Sequence, residues 1–160
     1  MASIDIDLQI QSAVLFGDDG AAIKRYGISS ARKGAGERNG SLCTPRGRHI
    51  IRAKIGAGQP VNAVFVGRRP TGEIYTPALG VQFPDRDWIL TRILWLSGCE
   101  PGFNRLGDVD TMRRYIYIHG TPDSVELGIP GSIGCIRMHN NDLLEIFEQV
   151  RAGDRVHIHE

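Results

Sequence analysis

Cysteine is scarce in this chain, with three in 160 residues, at Cys43, Cys99 and Cys135. An odd number leaves at least one thiol free, and their scatter fits neither a disulfide framework nor a zinc-ligand pattern. No apolar run approaches the ~18 residues of a membrane span. The opening MASIDIDLQIQ alternates charge with Ile and Leu, and has neither the basic start nor the apolar core of a secretory signal. A cytoplasmic protein is therefore expected. The alternative is a periplasmic one whose leader was removed, with residues 1–3 as a cloning remnant. Net charge is almost absent, formally +1, which argues against a dedicated nucleic-acid binder. There is no internal repeat and no low-complexity segment.

The near-neutral total hides an asymmetry. Between Lys24 and Arg69 stand eleven Lys or Arg and one acid, Glu37, while the rest of the chain holds eight basic and seventeen acidic residues. A basic half of this kind suits an anionic ligand or is simply a solvated face.

What the chain does have is period-two alternation. IDIDLQIQ and AVLF read as a hairpin, AAIKRYGIS as a half-buried strand, and RHIIRAKIG and NAVFVGRR as strands parted by the turn GAGQP. DWILTRILWLSG reads as a central strand rather than a helix, and RRYIYIHG as a buried one. SARKGAGERNGSLCTPRG and CEPGFNRLGDVDT are Gly-rich loops, long enough to be functional. The clearest helix is HNNDLLEIFEQVRAG, with Leu143, Ile146, Phe147 and Val150 on one face, Asn140 or Asn141 at its cap and Gly153 at its stop. The fold class is mainly β (β-rich α+β), a single domain over residues 1–160. Mixed and antiparallel sheets are expected to form a sandwich carrying one main helix near the C-terminus. Trp88, Trp95, Cys43 and Cys99 read as core.

Two segments carry chemistry. YIHG ends in His119 just before Gly120, Thr121 and Pro122, and GSIGCIRM sets Cys135 in a Gly-rich turn sixteen residues further on. Thiol catalysis needs a thiolate, a proton acceptor and donors for a developing oxyanion. Gly131 and Gly134 permit backbone turns that aim the N–H groups of Ile133, Gly134 and Cys135 at a carbonyl. Arg137 falls on the face of Cys135 if CIRM is a strand, where a guanidinium lowers a thiol pKa or grips a carboxylate. The bland alternative is a buried imidazole and a buried thiol.

YIHGT followed by GSIGCIRMHNND resembles the YkuD-type L,D-transpeptidase catalytic domain, whose pattern is His-Gly, a gap, Ser-His-Gly-Cys-(Ile/Val)-Arg, then Asn/Asp entering a helix. CTPRGRHII is similar to its Thr-Pro-x-Gly stretch, and VRAGDRVHI to its closing Gly-(Thr/Asp)-x-Val-x-Ile. The resemblance covers roughly Ile4 to Ile158, with one departure: Ile133 stands where the family usually has His.

The resemblance implies that Cys135 is the nucleophile, His119 its base and the Gly120 carbonyl the group that orients the imidazole. Ile133, Gly134 and Cys135 would supply oxyanion donors, and Ser132 and Arg137 would support the turn or the substrate. It further implies cleavage of the bond between the L-centre of a diamino acid and a terminal D-Ala in peptidoglycan stems, through a thioester, with no cofactor and no metal. Water as acceptor makes an L,D-carboxypeptidase of muropeptide recycling, whereas an amine makes a cross-linking L,D-transpeptidase. A non-catalytic wall-peptide binder is the second alternative. The partners would be stem peptides or muropeptides. Their carboxylates suit the basic half, with Arg46, Arg68 and Arg69 as candidates and Arg32, Lys33, Arg38 and Arg48 behind them. A metal site from His119, Cys135 and His139, or from the pair His157 and His159, is a weaker reading.

Overall fold

The computed structural model describes residues 1–160. Alternation at the two ends of the chain builds the centre of the sheet. β1 (Ser3–Asp7) buries Ile4 and Ile6, and β10 (Arg155–His159) buries Val156 and Ile158. They run parallel, from Ser3 beside Arg155 to Asp7 beside His159. β1 turns back into β2 (Ser12–Phe16) and then β3 (Ala22–Gly27), both pairs antiparallel. β3 is an edge on which only Tyr26 is buried, where a half-buried strand was expected.

On its other side β10 pairs with β4 (Gly47–Ile55), and β4 with β7 (Ile89–Gly98). β7 is a strand along its whole length, as its Ile, Leu and Trp content requires. Its far edge is shared. The first residues take β5 (Ala63–Val66), which carries β6 (Arg69–Ile74), and the rest take β8 (Tyr117–Gly120), followed by β9 (Ile136–Met138) in parallel. All ten strands belong to one curled, mixed sheet, so the two layers expected of a sandwich come from one continuous surface.

The main helix, α2 (Asn140–Gln149), buries Leu143, Ile146 and Phe147 in a 21-residue core shared with the inward residues of β1, β2, β7, β8, β9 and β10. Each such apolar side chain contributes roughly 1.5–3 kcal/mol. Its cap is His139, with no side-chain cap bond, and Asn140 turns inward instead of capping. The helix stops at Gln149, and Gly153, with φ +94°, serves the turn into β10 rather than the helix end. A short helix absent from the sequence reading, α1 (Pro77–Gln82), starts on Thr76, whose hydroxyl accepts from the Leu79 N–H at 3.2 Å.

Alternation along β7 and β8 separates two faces. Leu94, Leu96, Ile116 and Ile118 enter the large core. Ile93 and Tyr117 join Ala63 and Phe65 in a second cluster, against which Trp95 and Cys135 pack. Between Leu90 and Ile93 the pairing of β7 with β8 slips, and there Thr91 sits at φ 76°. A β-branched residue in the left-handed region costs on the order of 1–3 kcal/mol.

Candidate active site

The parallel register sets His119 beside Arg137 and Ile118 beside Ile136. Cys135 immediately precedes β9, one pleat step from Arg137 and on its face. Tyr117, His119, Cys135 and Arg137 therefore share the side of the sheet opposite Ile118 and Ile136.

His119 is 1% exposed, and its Nδ1 lies 2.7 Å from the Gly120 carbonyl oxygen. A carbonyl only accepts, so Nδ1 carries the proton and Nε2 is bare. Nε2 has no hydrogen-bond partner at all. Burial pushes the ring pKa below its ordinary value, with Arg137 adding to the effect, and the Gly120 bond and Asp87 oppose it. The imidazole is a neutral base at pH 7.

Cys135 is partly exposed and its sulfur is anchored by main chain. The Tyr117 N–H donates to Sγ at 3.3 Å, and Sγ–H donates to the Tyr115 carbonyl at 3.4 Å. Burial pushes the thiol up to about 12, against the smaller downward pull of the Tyr117 N–H, Arg137 and Arg114. The guanidinium effect expected of Arg137 is present, but desolvation outweighs it. At rest the pair is a thiol and a neutral imidazole, not an ion pair.

The turn before Cys135 is braced from inside. The Ser132 hydroxyl donates to the Cys135 carbonyl at 2.5 Å and accepts the Gly134 N–H at 3.1 Å. Ser132 is thereby committed to the turn and does not reach for substrate. Gly134, expected among the oxyanion donors, has its N–H occupied, while the N–H groups of Ile133 and Cys135 make no hydrogen bond in the turn. Gly134 adopts φ +137°, a conformation that L side chains rarely take, and a Cβ there would crowd Ile116 at 3.2 Å. Thr44, fully buried, donates to the Gly134 carbonyl at 2.8 Å and accepts from Ala31 at 3.0 Å. Arg114 donates to the carbonyls of Cys43 at 2.6 Å and Gly36 at 3.2 Å, and so holds the long basic loop under the turn.

The basic candidates divide. Arg68, at the tip between β5 and β6, lies 4.6 Å from the Trp95 ring centre and 4.8 Å from that of Tyr115, and donates to the Tyr117 phenol at 3.0 Å. It borders the Cys135 face, and Trp95, expected in the core, is half-buried beneath it. Arg137 makes no ion pair. Arg46 is engaged within the fold: its guanidinium pairs with Glu37 and Glu160, each at 3.0 Å, which neutralises its charge. Arg69 is exposed with no partner, and nothing brings it to Cys135. Cys43 and Cys99 are half-buried rather than sealed.

His139 is an exposed cap and does not join His119 and Cys135. Three metal-ligating atoms converge only at Asp5, His157 and His159, on the β1–β10 seam.

With this geometry in view, the model of the L,D-transpeptidase catalytic domain, YkuD, matches residues 2–158. The chain belongs to the YkuD family. A Bacillus licheniformis protein whose name assigns it, provisionally, as the L,D-transpeptidase YkuD is 46% identical over 46 residues, 29% of this chain and 28% of its own length. A Mycobacterium smegmatis L,D-transpeptidase structure shares the fold at TM-score 0.58 and 18% identity, over 99% of this chain and 58% of the other. A third similar structure is L,D-transpeptidase 3 of Mycobacterium tuberculosis with a faropenem-derived adduct, at TM-score 0.60, 16% identity, and coverage of 99% and 60%. The chain thus spans less than two thirds of each of these relatives.

Sequence reasoning missed Thr44, Arg114, Tyr117, Thr91 and Asn140. Thr44 lay within the quoted CTPRG motif, but nothing local marked its hydroxyl as the support of a turn 90 residues away.

Proposed function

We propose that this YkuD-family protein cleaves the bond between the diamino-acid L-centre and the terminal D-Ala of peptidoglycan tetrapeptide stems, through a Cys135 thioester resolved by water. The observation that carries the reading is the Nε2 of His119, buried without a partner on the face of Cys135. A buried polar atom left unpaired is destabilising and calls for a reason, and a proton acceptor kept bare for an incoming thiol proton supplies one.

The residues act in a fixed order. The sulfur rotates off the Tyr115 carbonyl and adds to the substrate carbonyl as its proton passes to His119. The free N–H groups of Ile133 and Cys135 receive the oxyanion, a role in which Ile serves as well as His because the donor is main chain. The imidazolium, held by Gly120, protonates the leaving amine of D-Ala. Water then attacks the thioester with His119 again as base, releasing the tripeptide. Arg137 and the caged Arg68 suit the carboxylates of the stem.

The rim supports water as acceptor. Arg114 and Arg137 lie within electrostatic reach of the thiol and Arg68 sits on the Tyr117 phenol, against one nearby carboxylate, Asp87. Those charges attract an anionic donor stem and repel an acceptor ammonium, while leaving water unaffected. A binding-only role is the rival, favoured by the thiol's high pKa. Mass spectrometry of a defined tetrapeptide muropeptide, with and without an amine acceptor, decides. Loss of one D-Ala without a larger product is expected. A dimer as main product replaces hydrolysis by cross-linking, and an unchanged tetrapeptide rejects catalysis.

A further inference from the structure

Behind the His119–Gly120 pair lies a buried polar cluster. The Thr91 hydroxyl donates to Asn140 Oδ1 at 2.6 Å and accepts the Asn62 N–H at 3.0 Å. The Asn140 amide donates to Asn62 Oδ1 at 3.0 Å and to the Thr121 carbonyl at 3.2 Å. Thr91, Thr121 and Asn140 are 0%, 1% and 4% exposed. Two members hold backbone angles rare for L residues, Thr91 at φ 76° and Asn62 at φ 68°. Local strain sustained by surrounding hydrogen bonds is a mark of positioning machinery. Gly120 is wedged inside the cluster, where a Cβ would overlap Asn140 Oδ1 and come within 2.6 Å of the Leu90 carbonyl.

We infer that Asn140 and Thr91 form a clamp on the Gly120–Thr121 segment, holding the Gly120 carbonyl where it accepts the hydrogen bond of His119 Nδ1. Both are positioning residues and touch no substrate. The segment is held at the Thr121 carbonyl by Asn140 and at Gly120 by packing against Asn140 and Leu90. A loosened carbonyl frees the ring to adopt the other tautomer, which buries the proton on Nε2 and removes the base. The inference rests on the role proposed for His119.

The test compares Thr91→Val and Asn140→Asp with Thr91→Ser, which keeps the hydroxyl, and with Leu143→Ala, which weakens α2 without touching the clamp. The first two should lower kcat roughly ten- to a hundredfold with KM nearly unchanged. They should also move the acid limb of the pH profile to lower pH, because the Gly120 bond raises the ring pKa. Thr91→Ser should retain both, and Leu143→Ala should lower only the melting temperature. Imidazole nitrogen shifts read the His119 tautomer without any turnover, showing one form in the native protein and a mixture in Thr91→Val. A single tautomer in every variant overturns the clamp whether or not the protein is an enzyme. Absent turnover with a mixed tautomer in Thr91→Val overturns the function alone.

A separate observation lies on the β1–β10 seam. Asp5 and His157 face each other across the ladder, and His159 follows on the same face. Asp5 Oδ1 is 3.4 Å from His157 Nδ1, Oδ2 is 2.7 Å from His159 Nε2, and all three ligand atoms lie within 4.8 Å of one another. The geometry points to a divalent transition-metal site of two imidazoles and one carboxylate, open to water in its remaining positions. Such donors suit Zn²⁺, Ni²⁺ or Cu²⁺ rather than Mg²⁺ or Ca²⁺. Strand register, rather than a loop, holds them together.

Calorimetric titration with Ni²⁺ and Zn²⁺ at pH 7.5 should give one saturable site. It should weaken roughly tenfold or more in His157→Ala and in His159→Ala, and be indifferent to Cys135→Ala. Bound metal should raise the melting temperature. Absence of saturation, or binding unchanged in both histidine variants, overturns the site.

Discussion

The main-chain N–H of Tyr117 donates to the sulfur of Cys135 at 3.3 Å, while the phenol of the same residue accepts from Arg68 at 3.0 Å. One residue thus steadies the thiol with its backbone and the Arg68 guanidinium with its side chain.

Replacing Cys135 by Ala or Ser is expected to remove D-Ala release by roughly 10³-fold or more, with a melting temperature close to native. Release persisting in Cys135→Ala would move the nucleophile elsewhere.

His119→Ala should lower kcat/KM by about 10²- to 10⁴-fold, the range for loss of a general base. Burial lowers the ring pKa, so the native base stays neutral as pH falls through the ordinary 6.5. Activity should hold at that pH and fail only lower. A limb at or above 6.5 contradicts the burial argument.

With its thiol pushed up to about 12, Cys135 should react slowly with iodoacetamide at pH 7, behind the half-buried Cys43 and Cys99. This reverses what a preformed thiolate would give. The same state implies a proton in flight during acylation, hence a slower reaction in D₂O. Peptide mapping of the labelled cysteines over pH 7–10 and paired rates in both solvents check it.

Arg68→Ala should raise KM for an anionic stem about tenfold while kcat changes less. Arg68→Lys should not restore it, since an ammonium lacks the planar group stacked between Trp95 and Tyr115. Equal KM values in native protein and Arg68→Ala remove Arg68 from the substrate site.

His49 offers a test of stability apart from catalysis. It is 1% exposed, its ring bonded to the Gly47 carbonyl and the Thr111 hydroxyl, each at 3.0 Å, and burial lowers its pKa to about 4. A lowered folded pKa means the unfolded chain takes the proton first as pH drops below 6.5. Stability should be full above 6.5 and fall by about 2 kcal/mol at pH 5 and about 3 at pH 4. His119 acts in the same direction. Urea midpoints across this range should fall, and less steeply in His49→Gln.

Much of the site could be read from the chain because its parts are local in sequence. The alternation of YIYIHG and the turn GSIGCIRM foretold which residues share a face, and the Ile, Leu and Trp run of β7 foretold a central strand. What could not be read depends on partners distant along the chain. Part of the basic half is neutralised on folding: Lys24 meets Glu145, Arg46 meets Glu37 and Glu160, and Arg48 approaches Glu100. α1 buries no side chain and so left no amphipathic trace. Asn140 had the look of a helix cap, but its partners Thr91, Asn62 and Thr121 lie 49, 78 and 19 residues away.

The parallel seam between β1 and β10 also bears on how the protein is made. The strand that joins the opening hairpin to β4 is made after every other strand of the sheet. Until β10 has been made, β1 has no neighbour on that side and its edge stays open. The sheet can close only once β10 has been made, in a late step that pairs strands far apart along the chain.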